Sequence, residues 1–467
     1  MYRKEIEEYI EAHKQEMLDD ICTLCRINSE KMSYKEGMPF GPGAFEALTE
    51  ALTMAESYGF SINNYDNYVG TMDLNDKETQ LDILAHLDVV PAGEGWKETE
   101  PFNPVVKNGK IFGRGTSDDK GPAVAALYAL RAVKELNIPL SKNVRLILGT
   151  DEECGSSDIA HYYSVEKEAP MTFSPDGAFP VVNTEKGSLA GHFTTEFELS
   201  DKLPKIVTLE AGLKVNVVPG KVSAVVAGLE EAVLTKVAAE VSVSTGIRYE
   251  IQMEGNHAKI TAIGEGAHAS TPDEGNNALT GLLFYLLKLP LADCPQVTML
   301  RRLQDLIPHG DTKGKALGIA MGDEISGNLT LAFSLLKVTD TDLVGTFDSR
   351  CPICSNEENV LMVVKKNMED KGFTLHNDSM RPPHHVDGDS EFVKTLLNAY
   401  ESYTGRKGEC ISMGGGTYVH DLKNGVAFGA SMPETDNRMH GADEFAVVEE
   451  LVVSAKIFAQ VIVDLCS

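Results

Sequence analysis

LDILAHLDVV (81–90), GRGTSDDKGP (113–122) and VRLILGTDEECG (144–155) decide how this chain is read. The first and third open as short runs of large aliphatic residues, the pattern of buried strands. Each gives way to turn residues at a group of ionisable side chains: His86 and Asp88 in one, Asp151, Glu152 and Glu153 in the other. The middle segment is a glycine-punctuated turn that places Asp118 and Asp119 just ahead of PAVAALYAL (122–130), a helix-forming run with proline in its first turn.

In an extended pair separated by one residue, His86 and Asp88 point to the same side. One ring nitrogen can then face a metal while Asp88 accepts the other N–H. Three consecutive acids at 151–153 are costly unless cations neutralise them. Taken singly, a histidine after a strand suits a structural role and an acidic run suits a solvated loop. Together at strand ends they suit the active-site edge of an α/β sheet, where ligands gather beyond the carboxyl ends of the strands.

Working outward, 467 residues exceed what one hydrophobic core usually supports, so two domains are expected. The net charge of −28 disfavours nucleic acid and anionic lipid as partners. Residues 1–25 have amphipathic helical spacing and resemble neither a signal peptide nor a span, and no apolar run approaches the roughly 18 residues a spanning helix needs. A cytoplasmic protein without membrane attachment is expected. The pairs Cys22/Cys25 and Cys351/Cys354 lie too far apart for a zinc ribbon and are read as reduced, mostly buried thiols. Cys154 stands directly after Glu153, where neighbouring carboxylates disfavour its thiolate.

Asp176 occupies a Pro-Asp-Gly turn after a short apolar segment. From about Gly187 the texture becomes alternating and β-rich, which reads as an α+β domain (187–381) inserted into a metal-binding α/β domain (1–186 and 382–467). Within the insert, GEGAHASTPDEGNNA (264–278) puts His268 in a polar loop opening a helix from Asn277 to about Leu289. After it come the triple glycine Gly414, Gly415 and Gly416, then His440 ahead of an apolar helix expected from Phe445 to about Leu465.

HLDVVPAGEGW (86–96), GRGTSDDKGP (113–122), GTDEECGS (149–156), SPDGAFPVVNTEKG (174–187), NVVPG (216–220), AHAS (267–270), FDSRCP (347–352), GGGTY (414–418) and MHGADE (439–444) resemble, in order and over nearly the whole chain, the cocatalytic di-zinc exopeptidases. That family includes aminoacylase, glutamate carboxypeptidase, succinyl-diaminopimelate desuccinylase and carnosinase, and the similarity is greatest to its bacterial dipeptidase V (PepV) branch. The resemblance implies two divalent cations, His86 and Asp176 on one, Glu153 and His440 on the other, with Asp118 bridging. The mixed donors suit zinc, and such sites also accept manganese or cobalt. It implies Glu152 as general base toward a water bridging the metals and Asp88 as the partner of His86. The insert becomes a lid in which His268 donates to the oxyanion and Arg350 clamps the substrate carboxylate, as a bidentate pair or otherwise. Asn216 and the Gly414–Gly416 backbone complete the pocket. An insert of this length is similar to a doubled lid within one chain, which implies a monomer.

Two departures stand out: His420 follows the glycine run where relatives often carry arginine, and Cys351 adjoins Arg350. The activity implied is hydrolysis of small unblocked dipeptides, β-alanyl ones included. An N-acyl-amino-acid amidohydrolase (deacylase or desuccinylase) on the same centre and a non-catalytic metal- or peptide-binding protein stay open beside it.

Overall fold

The computed structural model describes residues 2–467 and divides the chain into two compact units. Unit 1 is Met1–Thr184 with His385–Ser467, and unit 2 is Glu185–His384.

Unit 1 opens with helices α1 (Arg3–Ala12), α2 (Lys14–Cys25) and α3 (Pro42–Ser57), followed by strands β1 (Ser61–Tyr65), β2 (Val69–Asp73) and β3 (Thr79–His86). A short hairpin of β4 (Val105–Lys107) and β5 (Lys110–Phe112) precedes α4 (Lys120–Glu135), β6 (Asn143–Gly149), α5 (Ser157–Tyr163) and β7 (Met171–Ser174). The main sheet has the order β1-β2-β6-β3-β7, continued by Gly425–Ala427 and Val181–Glu185. It is mixed: β3 runs parallel to both β6 and β7, whereas β2 runs antiparallel to β1 and β6. From Leu81 onward β3 is buried without alternation, as expected of a parallel strand covered on both faces.

The cover includes α4, which is buried from Lys120 to Val133 and packs against α1, α2, β3, β6 and the C-terminal helix Val448–Cys466. Alanines along it let these neighbours approach closely. At its start a Cβ on Gly121 would lie 2.0 Å from the Thr116 carbonyl oxygen, so only glycine lets the 113–118 turn fold back over the helix N-terminus. The Lys120 ammonium is buried beside it and donates to Leu24 O (3.0 Å) and Ile27 O (2.8 Å) at the end of α2, with burial lowering its pKa to about 8.

Two helices differ from expectation. The N-terminal one breaks at His13, whose Nδ1 sits 2.8 Å from Tyr9 O and competes for a carbonyl the helix would use. The C-terminal one starts at Val448, because Phe445–Val447 pairs antiparallel with β5.

Unit 2 is built on an antiparallel sheet ordered 248–254, 257–263, 221–227, 205–211, 330–338, 342–351, 187–196 and 374–375. Burial alternates along Gly187–Glu196, and helices Glu231–Thr245, Ala278–Lys288, Pro295–Leu306 and Met362–Asp370 contribute to its core. Asn277 caps the second of these through the N–H groups of Leu279 and Thr280. The cysteines are free; Cys354, expected buried, is exposed, as are Cys154 and Cys410. Among the described residues no helix is long and apolar enough to cross a membrane.

Gly121→Ala should destabilise unit 1 by about 3 kcal/mol, since the clash is with backbone that must move. Urea unfolding measures this; a wild-type midpoint would contradict the close approach.

Candidate metal centre

Three adjacent parallel strands end side by side, and each delivers acid or imidazole from its carboxyl end. His86 is the last residue of β3, Thr150–Glu153 follow β6, and Asp176 lies two residues past β7. Asp118 arrives from the turn before α4, and His440 from the segment between Ala430–Ser431 and Phe445–Val447. His440 has φ 63°, a left-handed conformation uncommon for a side-chain-bearing residue and one that clusters at functional sites.

Asp118 stands between the two histidines. Its Oδ1 is 3.0 Å from His86 Nε2 and its Oδ2 is 2.8 Å from His440 Nε2. Asp176 Oδ2 lies 3.6 Å from His86 Nε2, and Glu153 Oε1 lies 3.2 Å from His440 Nε2. Two donor groups result, His86/Asp118/Asp176 and Asp118/Glu153/His440, with donor atoms of each group within 4.8 Å of one another. Ligands around a tetrahedral zinc stand about 3.3 Å apart, so both groups fit a cation with little movement. Glu153 Oε1, moreover, is buried without a hydrogen-bond partner.

The electrostatics point the same way. Burial works against charging His86, but Asp118, Asp176 and Asp88 outweigh it and hold its pKa well above the usual value. Asp118 and Glu153 hold His440 up to about 10. Burial opposes ionisation of Asp118, yet the two imidazoles hold its carboxyl below the usual range. Burial raises Glu152, Glu153 and Asp176. Asp118 adds to the effect on Asp176 and Glu153, and Asp176 and Glu153 add to it on Glu152.

The residues around the centre are held mainly by backbone amides. Asp88 was expected to orient His86 through its carboxylate. Instead Nδ1 lies 3.0 Å from the Asp88 carbonyl oxygen and 3.4 Å from Oδ1, while that carboxylate accepts the N–H groups of Glu152 and Glu153, both at 3.1 Å. The two preceding amides, of Thr150 (2.5 Å) and Asp151 (2.9 Å), go to Asp158 Oδ2. Four consecutive N–H groups of the 150–153 turn are thus fixed by two buried carboxylates. The Asp118 turn has a matching anchor in Glu444, whose Oε1 accepts from Gly115 (3.0 Å), Ser117 (3.0 Å) and Asp118 (3.3 Å) and whose Oε2 pairs with the buried Arg114. Asp119 points back into the sheet, accepting the His86 N–H at 3.1 Å.

Asp158, Glu444 and Tyr418 were not singled out from the sequence. Glu444 sits inside the quoted MHGADE and Tyr418 ends GGGTY, so position alone flagged them, without a role. Gly414, Gly415 and Gly416 follow strand Cys410–Met413 and lead to Thr417, which caps the turn carrying Tyr418 and the buried His420.

Unit 2 gathers three of the expected substrate residues. Asn216 O accepts the Ala269 N–H at 2.9 Å, Thr330 Oγ1 lies 3.4 Å from Ala269 O, and Thr330 is the cross-strand partner of Arg350. His268 Nδ1 faces the Ser270 hydroxyl (2.6 Å) and N–H (3.2 Å); since an N–H only donates, Nδ1 is the acceptor and Nε2 carries the proton. Asp348 takes the Nε and Nη2 edge of Arg350 at 2.7 and 2.8 Å, so that side of the guanidinium does not serve as a bidentate clamp.

Comparison with known proteins places these features. The pattern of the peptidase family M20/M25/M40 matches residues 83–464. The YtjP protein of Bacillus subtilis (strain 168) is 35% identical over 459 residues, covering 97% of each chain. The Beta-Ala-Xaa dipeptidase of Lactobacillus delbrueckii subsp. lactis is 32% identical over 466 residues, covering 98% of this chain and 97% of its own. Human carnosine dipeptidase 1 matches with a TM-score of 0.62 at 15% identity, over 100% of this chain and 99% of its own, which shows a shared fold.

A cation entering the centre must displace protons from His86 and His440. Metal uptake at pH 7 should therefore release protons, and apparent affinity should rise with pH toward about 10, where His440 titrates. Calorimetric titration in buffers of different ionisation enthalpy checks this; an observed enthalpy independent of buffer would oppose it.

Proposed function

The chain belongs to the peptidase family M20/M25/M40, and from that premise we propose that it is a metal-dependent dipeptidase cleaving unblocked dipeptides, β-alanyl ones included. The observation that carries the reading is Asp118, whose two oxygens each face a different histidine and so suit a carboxylate shared by two cations. The name of the Lactobacillus relative supports the dipeptide and β-alanyl substrate class. Zinc is the ion assigned, on the mixed nitrogen and oxygen donors, with manganese or cobalt as substitutes.

Two cations held by His86, Asp118, Glu153, Asp176 and His440 would supply the Lewis acidity that polarises the scissile carbonyl and acidifies a water. Glu152 takes that water's proton and hands it to the leaving amine. His268 donates from Nε2 to the oxyanion, the tautomer that the Ser270 contacts to Nδ1 favour. Arg350, whose Nε and Nη2 are held by Asp348, is the residue assigned to the substrate carboxylate. Asn216 and the Gly414–Gly416 backbone line the same substrate. The working unit assigned is the monomer, because an insert of this length is similar to a doubled lid within one chain.

Chelator-stripped protein, with and without restored zinc or manganese, should be offered free dipeptides, β-alanyl-histidine, N-acetyl and N-succinyl amino acids and tripeptides. Metal-dependent cleavage confined to free and β-alanyl dipeptides is expected; cleavage of the N-acyl compounds instead would make the protein a deacylase. Glu152→Gln should lower kcat by about 10²–10⁴ with metal content unchanged. His268→Ala should lower kcat by about 10²–10³ with both metals retained, and an unchanged kcat would remove it from the oxyanion role.

A further inference from the structure

Tyr418 is buried where the 150–153 turn leaves the sheet, and nothing in the reaction above uses it. Its hydroxyl donates to Asp158 Oδ2 at 2.5 Å, the oxygen that also accepts the Thr150 and Asp151 amides, and lies 3.5 Å from the Asp151 nitrogen. Its ring stands edge to face with His86, centroids 6.1 Å apart, and packs with Leu84, Ile147 and Ile159. At the last residue of β6, a Cβ on Gly149 would come within 2.1 Å of the Tyr418 hydroxyl oxygen. The strand end has thus been left without a side chain where this phenol sits. On the other side Tyr418 is separated by Thr417 alone from the Gly414–Gly416 run.

We propose that Tyr418 is a positioning residue. By holding Asp158 it fixes the backbone of the turn that aims Glu152 and Glu153, and it joins that turn mechanically to the glycine segment assigned to the substrate. Asp158 Oδ2 accepts three hydrogen bonds, two from the turn and one from Tyr418. Removing the phenol hydroxyl leaves a buried carboxylate with one donor fewer, its Oδ1 still accepting the Ile159 N–H at 2.7 Å and its Oδ2 placed by the turn amides alone. The turn has Asp88 as its second anchor, so it shifts without unfolding, and the shift is felt at Glu152 and Glu153 while His86 and Asp176, on β3 and beyond β7, stay put. One of the two donor groups is therefore disturbed and the other spared. The effect on turnover rests on the dipeptidase reading; the effect on metal binding does not.

The test uses full-length Tyr418→Phe, which keeps the ring, and Gly149→Ala, whose added Cβ would meet both the phenol oxygen (2.1 Å) and Asp158 Oδ2 (2.6 Å) and so displace the pair. Stripped protein is titrated with Co²⁺ and followed by visible absorption, alongside steady-state kinetics of the zinc-loaded enzyme on free dipeptides. Both variants are expected to bind one equivalent of Co²⁺ as wild type does and the other about 10-fold or more weaker, with an altered spectrum for that equivalent. Both should lose about 10-fold or more in kcat with KM within about twofold. Tyr418→Phe with wild-type kcat and two wild-type Co²⁺ equivalents would overturn the proposal. So would a loss of thermal stability with kcat per folded molecule and the cobalt spectrum unchanged, since that is packing alone. If wild type cleaves no dipeptide while the variants still weaken one cobalt site, the dipeptidase reading fails and the positioning role stands.

Discussion

Like charge brought together out of water is the constraint on which this molecule turns. Asp118, Glu152, Glu153 and Asp176 converge where three parallel strands end, and His86 and His440 are the only imidazoles the donor groups contain. A buried carboxylate cluster of this kind persists only if something compensates it. Asp118 and Asp119 lie at the N-terminus of α4, where the unpaired amides of a helix favour negative charge. That contribution is modest, and the remaining imbalance is met by protons or by metal ions.

The scaffold holding the cluster is itself built from carboxylates, but these meet amides instead of cations. Asp88, Asp158 and Glu444 accept runs of backbone N–H groups from the turns on which the converging residues ride. Asp443 does the same for Lys97 and Glu98, at 2.7 and 2.8 Å. Backbone donors have little freedom to rearrange, so a turn fixed this way keeps its geometry whether or not the charges in front of it are neutralised. Two guanidinium groups are drawn into this scaffold, Arg114, buried against Glu444, and Arg438, 3.5 Å from Asp443.

How much of this was legible in the sequence follows from distance along the chain. His86, Asp118, Glu153 and Asp176 each sit where a local pattern ends, so hydrophobic runs and turn residues located them, and the family resemblance divided them between two ions. Periodicity alone did not separate Asp118 from Asp119; the fold does, by turning Asp119 back to the His86 amide. The Asp88 carboxylate, 3.4 Å from His86 Nδ1, also accepts the amides of a turn more than sixty residues away, a partnership no local pattern announces. Tyr418 to Asp158 and Arg114 to Glu444 span 260 and 330 positions, and no local rule reaches that far. Phe445–Val447 reads as the start of an apolar helix until β5 lies beside it. The alternation of Gly187–Glu196 needed no partner to be seen, which is why the change of texture near the insert was visible.

The interruption of unit 1 by unit 2 has a consequence for the order in which the protein takes shape. Helix α4 is apolar almost all round, and one of its covers, Val448–Cys466, is translated only after the whole of unit 2. Residues 185–384, contiguous in sequence, can collapse on themselves as they leave the ribosome. At about 5–20 residues per second their synthesis occupies about 10–40 s, during which α4 and the edges of its sheet wait with their final cover unmade. His440 joins the other donors only after that interval. Metal capture therefore waits on synthesis of the insert, and a chain caught before it presents a greasy helix and an unfinished cluster of acids to whatever chaperone or protease meets it first.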